Sequence, residues 1–138
     1  MADITSEKLL LEVVTPEKLV ISEEVDEVVL PGIEGEFGVL PGHIPFLTAL
    51  KVGEMVYRKG ETEEHLALSW GYVEVMSDSV KVLAETAEKA TEIDLQRAEL
   101  ARGEAEKILT AGKEDEEYEK AKVRLEKAVI RSQVAGRR

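Results

Sequence analysis

The chain has 138 residues, no cysteine, and 29 acidic against 18 basic side chains, for a formal net charge of −11. That balance excludes the basic footprint of a nucleic-acid binder, and an aromatic content of 4% offers few stacking platforms for bases. The absence of thiols excludes a disulfide frame or thiolate metal site, no apolar run approaches the roughly 18 residues of a membrane span, and the stretch from Met1 to Glu7 lacks the basic and apolar regions of a secretion signal. Any membrane association is expected to go through a partner.

From residue 9 to about residue 87 the pattern is short, alternating or continuous apolar runs broken by turn residues. Strands are predicted over 9–14, 19–21, 25–30, 38–40, 46–50, 54–58, 66–70, 72–76 and 80–84. Runs such as Val25-Asp26-Glu27-Val28-Val29-Leu30 carry the β-branched residues that suit a half-buried pleated surface. Breakers fall at Thr15-Pro16-Glu17, Pro31-Gly32, Pro41-Gly42, Lys59-Gly60 and Ser77-Asp78-Ser79. Short strands at this spacing predict an all-β sandwich or barrel over residues 1–88, without alternating βα units. The segment from Pro31 to Pro45 is dense in glycine and proline and carries Glu34, Glu36 and His43, which reads as a rigid, charged surface loop suited to recognition.

After Ala87 the composition turns to Ala, Glu, Lys, Arg and Leu, the strong helix formers, and no proline follows. Thr91-Glu92-Ile93-Asp94 has the form of a capping box, and Leu95, Ala98, Ala101, Ala105 and Ile108 then recur on one helical face. Gly112 reads as a C-terminal stop, and a second helix is expected over 114–134 with Ala121, Leu125, Ala128 and Ser132 as its seam. The short connection and facing stripes predict an antiparallel helical hairpin over 89–138. Its seam is narrow and rich in alanine, so at about 25 cal/mol per Å² it coheres weakly, and Gly103 costs about 1 kcal/mol relative to alanine.

Little of this assembles into an active site. The two histidines, His43 and His65, have neither metal-ligand spacing nor a partner nucleophile. Ala67-Leu68-Ser69-Trp70-Gly71 lacks the first glycine of a nucleophile elbow and leads into a strand, where the elbow needs a helix. Phosphate-cradling glycine motifs are absent, so a binding module is expected rather than an enzyme. On the second helix Lys120, Arg124, Lys127 and Arg131 form a basic ridge at i, i+4, i+7 and i+11, and Glu126 is the only carboxylate from Lys120 to Arg138. A ridge three turns long exceeds what a helix C-terminus asks for and suits an acidic partner.

Several segments, in order along the chain, carry a resemblance. Leu11-Glu12-Val13-Val14-Thr15-Pro16-Glu17, the stretch from Pro31 to Pro45, Trp70-Gly71-Tyr72-Val73-Glu74-Val75, Val82-Leu83-Ala84-Glu85-Thr86-Ala87 and Ile93-Asp94-Leu95-Gln96-Arg97-Ala98 closely resemble the epsilon subunit family of bacterial F-type ATP synthases, called delta in mitochondria. The resemblance implies a non-catalytic central-stalk subunit with no required cofactor, at the cytoplasmic face of the inner membrane. It implies a sandwich that binds the gamma subunit and the membrane rotor ring of c subunits, with Glu34, Gly35 and Glu36 toward the ring and His43 toward gamma. It implies a hairpin that moves between a compact state and an extended one, where the ridge Lys120, Arg124, Lys127 and Arg131 meets the alpha/beta catalytic head and brakes ATP hydrolysis. It also implies ATP as a weak regulatory ligand at Glu88, Asp94, Arg97, Lys127 and Arg131. The weakness follows from Lys127 and Glu104 standing where strong binders carry arginines, since lysine lacks the bidentate fork and a carboxylate repels phosphate. A second reading is a stand-alone nucleotide-sensing or adaptor module built on Asp94 and Arg97.

Overall fold

A computed structural model of the chain describes residues 7–112 and 114–138. Eight strands come first: β1 (Leu9–Val14), β2 (Leu19–Val25), β3 (Glu27–Gly32), β4 (Gly35–Val39), β5 (Phe46–Leu50), β6 (Gly53–Lys59), β7 (Thr62–Val75) and β8 (Ser79–Lys89). A 3-10 turn at Ala90–Glu92 then leads to α1 (Leu95–Thr110) and α2 (Glu116–Ala135). The order β2-β1-β8-β7-β5-β3-β4, with β6 pairing both β3 and β7, wraps the strands into a β-sandwich. The fold is thus an all-β sandwich followed by a helical hairpin.

Alternation builds the core directly. Leu9, Leu11 and Val13 of β1 point inward, as do Val28 and Leu30 of β3 and Val80 and Val82 of β8, all fully buried. Side chains close the gap between β2 and β6. The Tyr57 hydroxyl donates to Glu23 at 2.9 Å, the Gly60 amide donates to Asp26 at 2.7 Å, and Lys8 and Arg58 pair with the same aspartate. Tyr57 holds the Glu23 carboxyl below its ordinary range, with Lys59 adding to that pull, and Lys8 does the same for Asp26.

The sequence reading placed two strands on either side of Gly71; the structure has one. β7 pairs with β6 over its first half and with β5 over its second, while β8 runs beside it in unbroken register. The inward face changes parity at the middle: Leu66 and Leu68 enter the core before it, Val73 and Val75 after it. Trp70 at φ 27° and Gly71 at φ 153° make that reversal. A Cβ on Gly71 would lie 1.9 Å from the Leu83 carbonyl oxygen, so only glycine fits.

Two further expectations are corrected. Most of the segment expected as a loop from Pro31 is a β-hairpin, with Gly32 opposite Gly35 across the two-residue turn Ile33-Glu34. Pro31 is accommodated because it falls between the pairing with β6, which ends at Val29, and the pairing with β5 at Gly32, and its carbonyl still accepts from the Lys51 amide at 3.1 Å. The first helix begins later than the capping box at Thr91 suggested. Asp94 is its cap and accepts from the Arg97 amide at 3.1 Å, because Ile93 is buried beneath α2 and holds the preceding residues in the 3-10 turn.

Asp115 caps α2 in the same way, accepting from the Tyr118 amide at 3.0 Å, and Gly112 takes φ 73° in the intervening turn. The helices meet through Ala98 and Ala105 of α1 and Ala121 and Ala128 of α2, all buried. Leu95, expected in this seam, is exposed.

Replacing Gly71 with alanine is expected to destabilise the sandwich by about 3 kcal/mol or more, through carbonyl overlap and a disfavoured backbone angle. The midpoint of urea unfolding, followed by far-UV circular dichroism, measures the loss.

Candidate functional site

The middle of β7 is buried on both sides. Leu66 and Leu68 face the sandwich core, whereas Ala67 contacts a second cluster made with Ala90, Ile93, Val134, Ala135 and the half-buried Ile130. The C-terminal half of α2 therefore lies on the outer face of β6, β7 and β8. Ser69 and Thr86 satisfy each other by a hydroxyl–hydroxyl hydrogen bond beside this contact.

Ion pairs flank the apolar strip. On the β8 side Arg131 donates to both oxygens of Glu88, from Nε at 2.7 Å and Nη2 at 3.1 Å. One turn earlier the Lys127 ammonium sits 3.7 Å from Glu85 and 4.7 Å above the ring of Trp70, the sole tryptophan. On the β6 side Arg137 donates to both oxygens of Glu54, at 3.1 and 3.3 Å, with Gln133 adding a contact at 3.4 Å and His65 one at 3.0 Å. Burial pushes the Glu54 carboxyl upward, but Arg137 and then His65 outweigh it and hold the group below its ordinary value of 4.5.

Half of the basic ridge thus faces the protein's own sheet. Lys127 and Arg131 are turned inward onto Glu85 and Glu88, whereas Lys120 pairs only with Glu116 on the same helix and Arg124 makes no ion pair among the described residues. Of the residues the resemblance implies for ATP, Glu88, Lys127 and Arg131 line one open cleft between β8 and the hairpin, with Arg124 and Ala101. Asp94 and Arg97 do not line it. The Asp94 side chain is engaged as the α1 cap, and Arg97 is exposed.

At the other proposed contact region, Glu34 lies in the β3–β4 turn and Glu36 is exposed at the start of β4. Gly35 takes φ 137° between them. His43 lies in the loop beyond the end of β4, where its Nδ1 donates to the Ile44 carbonyl at 2.6 Å. The acidic pair and the histidine therefore occupy opposite ends of one short edge strand.

A surface that the sequence reading missed runs across the sheet. Ala49, Tyr72, Leu83, Val14 and Leu19 are successive cross-strand partners on β5, β7, β8, β1 and β2. Tyr72, Leu83 and Leu19 are 61%, 48% and 55% exposed, an apolar row on an otherwise acidic molecule. On β8 Leu83 is exposed with Lys81 and Glu85, a facing that alternation could have suggested, but the row appears only once the register of five strands is known.

The lowered pKa of Glu54 has a sign. A carboxylate depressed by folding contributes its stabilisation above its unfolded value, and that contribution disappears as pH falls through the folded value. Docking of α2 is expected to weaken as pH drops below about 4.5, and Glu54→Gln is expected to flatten that part of the profile. Fluorescence of Trp70 during urea titrations at pH 7 and pH 4 gives the comparison.

Comparison with known proteins agrees along nearly the whole chain. Residues 8–90 match the family described as ATP synthase, Delta/Epsilon chain, beta-sandwich domain, and residues 91–136 match its long alpha-helix domain. The ATP synthase epsilon chain of Geobacter sp. (strain M21) is 58% identical over 133 residues, spanning 96% of each chain. That of Citrifermentans bemidjiense is 57% identical over the same share. Among solved structures, a chain of the Euglena gracilis mitochondrial ATP synthase superposes with a TM-score of 0.82 at 21% identity, covering 100% of this chain and 86% of that one, a likeness of fold. The chain belongs to the delta/epsilon chain family of ATP synthases.

Proposed function

We propose that this chain works in the central stalk of a bacterial ATP synthase, where its sandwich docks on the rotor and its hairpin regulates ATP hydrolysis. Within the family it is a non-catalytic subunit of the complex. None of its helices is long and apolar enough to cross a membrane among the described residues, which suits attachment through other subunits at the cytoplasmic face. The apolar row Tyr72, Leu83 and Leu19, together with the His43 loop, offers the gamma subunit a surface to cover. The exposed carboxylates Glu34 and Glu36 suit basic loops of the c-subunit ring, setting orientation more than affinity.

The observation that carries the regulatory reading is how the hairpin is held. Its contact with the sheet is a small apolar cluster edged by partly exposed ion pairs. Exposed pairs contribute about 1 kcal/mol or less each, so this docking is reversible. Moving the hairpin from 1:99 to 99:1 in favour of an extended state takes about 5.5 kcal/mol of differential binding. Lys127 and Arg131, released from Glu85 and Glu88, join Lys120 and Arg124 to supply it against an acidic surface of the catalytic head. ATP, in this reading, enters the Glu88, Lys127, Arg131 cleft as a weak regulatory ligand that favours the compact state.

Hydrolysis by a catalytic head stripped of its own epsilon chain, titrated with this protein, tests the proposal. The full chain is expected to inhibit, residues 1–89 to bind without inhibiting, and Arg124→Ala to relieve inhibition severalfold while keeping the compact fold. Equal inhibition by the truncated and full chains would remove the hairpin from the mechanism. Equilibrium dialysis with ATP is expected to show half-saturation in the millimolar range; saturation at micromolar ATP favours the stand-alone nucleotide sensor instead.

A further inference from the structure

The three carboxylates that hold α2 differ in how far water reaches them. The side chain of Glu85 is 56% exposed and that of Glu88 34%, but that of Glu54 is only 14%. Glu54 stands on β6 opposite Ala67, beneath the end of α2. Three of the four contacts to its oxygens come from Arg137 and Gln133. His65 alone would remain if α2 left, and its other ring nitrogen already lies 3.7 Å from Glu63. Losing donors from a poorly hydrated carboxylate costs more than losing them from an exposed one, because water replaces them less well.

The position of this cluster matters as much as its burial. The last residues of the chain also reach the hinge of the hairpin: Arg138 donates from Nη2 to the Ile93 carbonyl at 2.9 Å and from Nε to the Ala135 carbonyl at 3.1 Å. Ile93 lies between the 3-10 turn and the α1 cap, the segment that any swing of the hairpin must bend. Gln133, Arg137 and Arg138 therefore fasten the end of α2 both to the sheet and to the hinge. Among the described residues the tip of the hairpin has no comparable hold, since Ala111, Gly112 and residues 114–117 are all exposed.

We propose that Glu54 is the catch that sets the compact population of the hairpin, with Arg137 as its principal partner and the Arg138–Ile93 bond immobilising the hinge. This rests on the reading of the hairpin as a mobile element. It places control of that motion at the C-terminal tail and β6, apart from the Glu88, Lys127, Arg131 cleft, so that the compact form is closed with or without a nucleotide.

Hydrogen–deuterium exchange on the full chain tests it, comparing wild type with Glu54→Gln, Arg137→Gln and the charge reversal Glu54→Arg with Arg137→Glu, all without nucleotide. Each single substitution is expected to speed exchange of α2 amides about tenfold while leaving the core of β1, β3 and β8 unchanged, a factor equivalent to about 1.4 kcal/mol. The charge reversal is expected to recover much of the loss. Arg137→Gln alters an exposed side chain beyond the last helix, so it reports on the catch even if Glu54→Gln disturbs β6. Unchanged α2 exchange in both single variants overturns the catch while leaving hairpin mobility standing. Conversely, if wild-type α2 exchanges only with global unfolding and the single variants release it, the catch holds and free mobility in the isolated chain is refuted. Acceleration of α2 and sandwich core together also overturns the proposal, since Glu54 would then stabilise the whole domain.

Discussion

Because Leu66 and Leu68 face the sandwich core while Ala67 and Ser69 lie toward the hairpin, the middle of β7 is shielded from water on both sides, and the rest of the architecture hangs on that strand. Its backbone is satisfied by β6 or β5 on one edge and β8 on the other. The parity reversal at Trp70 and Gly71 lets one continuous strand serve a long core below and a small one above. Without it, either Leu68 or Val73 would point to solvent, at a cost of roughly 1.5–3 kcal/mol for a fully buried aliphatic side chain.

The second organising feature is electrostatic. A chain with net charge −11 keeps a cationic surface on its last helix, and the sheet below offers carboxylates in register with it. Glu85 and Glu88 of β8 take Lys127 and Arg131, and Glu54 of β6 takes Arg137, so α2 is bordered on both sides by acid. The apolar strip between these borders is too small to hold the helix firmly, and the pairs to Glu85 and Glu88 are exposed enough to be exchanged for others. An element built this way is docked in a defined register without being locked. That combination serves a regulatory arm better than either a tight core or a free tail.

Much of the fold was legible in the sequence, for physical reasons that also mark where legibility stopped. Alternation identified β1 and β5 at their true limits, and the change in composition after Ala87 announced the helices. Gly71 misled because glycine ordinarily breaks a strand, whereas here it turns the face over and pairing continues. Pro31 misled likewise, being tolerated where β3 passes from pairing with β6 to pairing with β5. Thr91 lost the cap to Asp94 because burying Ile93 decided where the helix could begin. Among the candidate site residues, Glu88, Lys127 and Arg131 do meet around one cleft. The sequence showed none of the pairing that joins them, since Glu88 and Arg131 lie 43 positions apart and Glu54 and Arg137 lie 83 apart. The same distance hid the apolar row, which exists only in the register of five strands.

The ground beneath the hairpin has a consequence for what the protein becomes when the arm lifts. That surface is built from Ala67, Ala90, Ser69 and Thr86, with Ile93 its one large aliphatic side chain, and the two hydroxyls already satisfy each other. Lifting the arm uncovers carboxylates and small side chains in place of a broad greasy face, and the helix that departs carries lysines and arginines beside Ile130 and Val134. The ground left behind adds little apolar surface to the row Tyr72, Leu83 and Leu19 that the sandwich already exposes. Opening therefore changes the charge the sheet presents far more than the apolar area it presents.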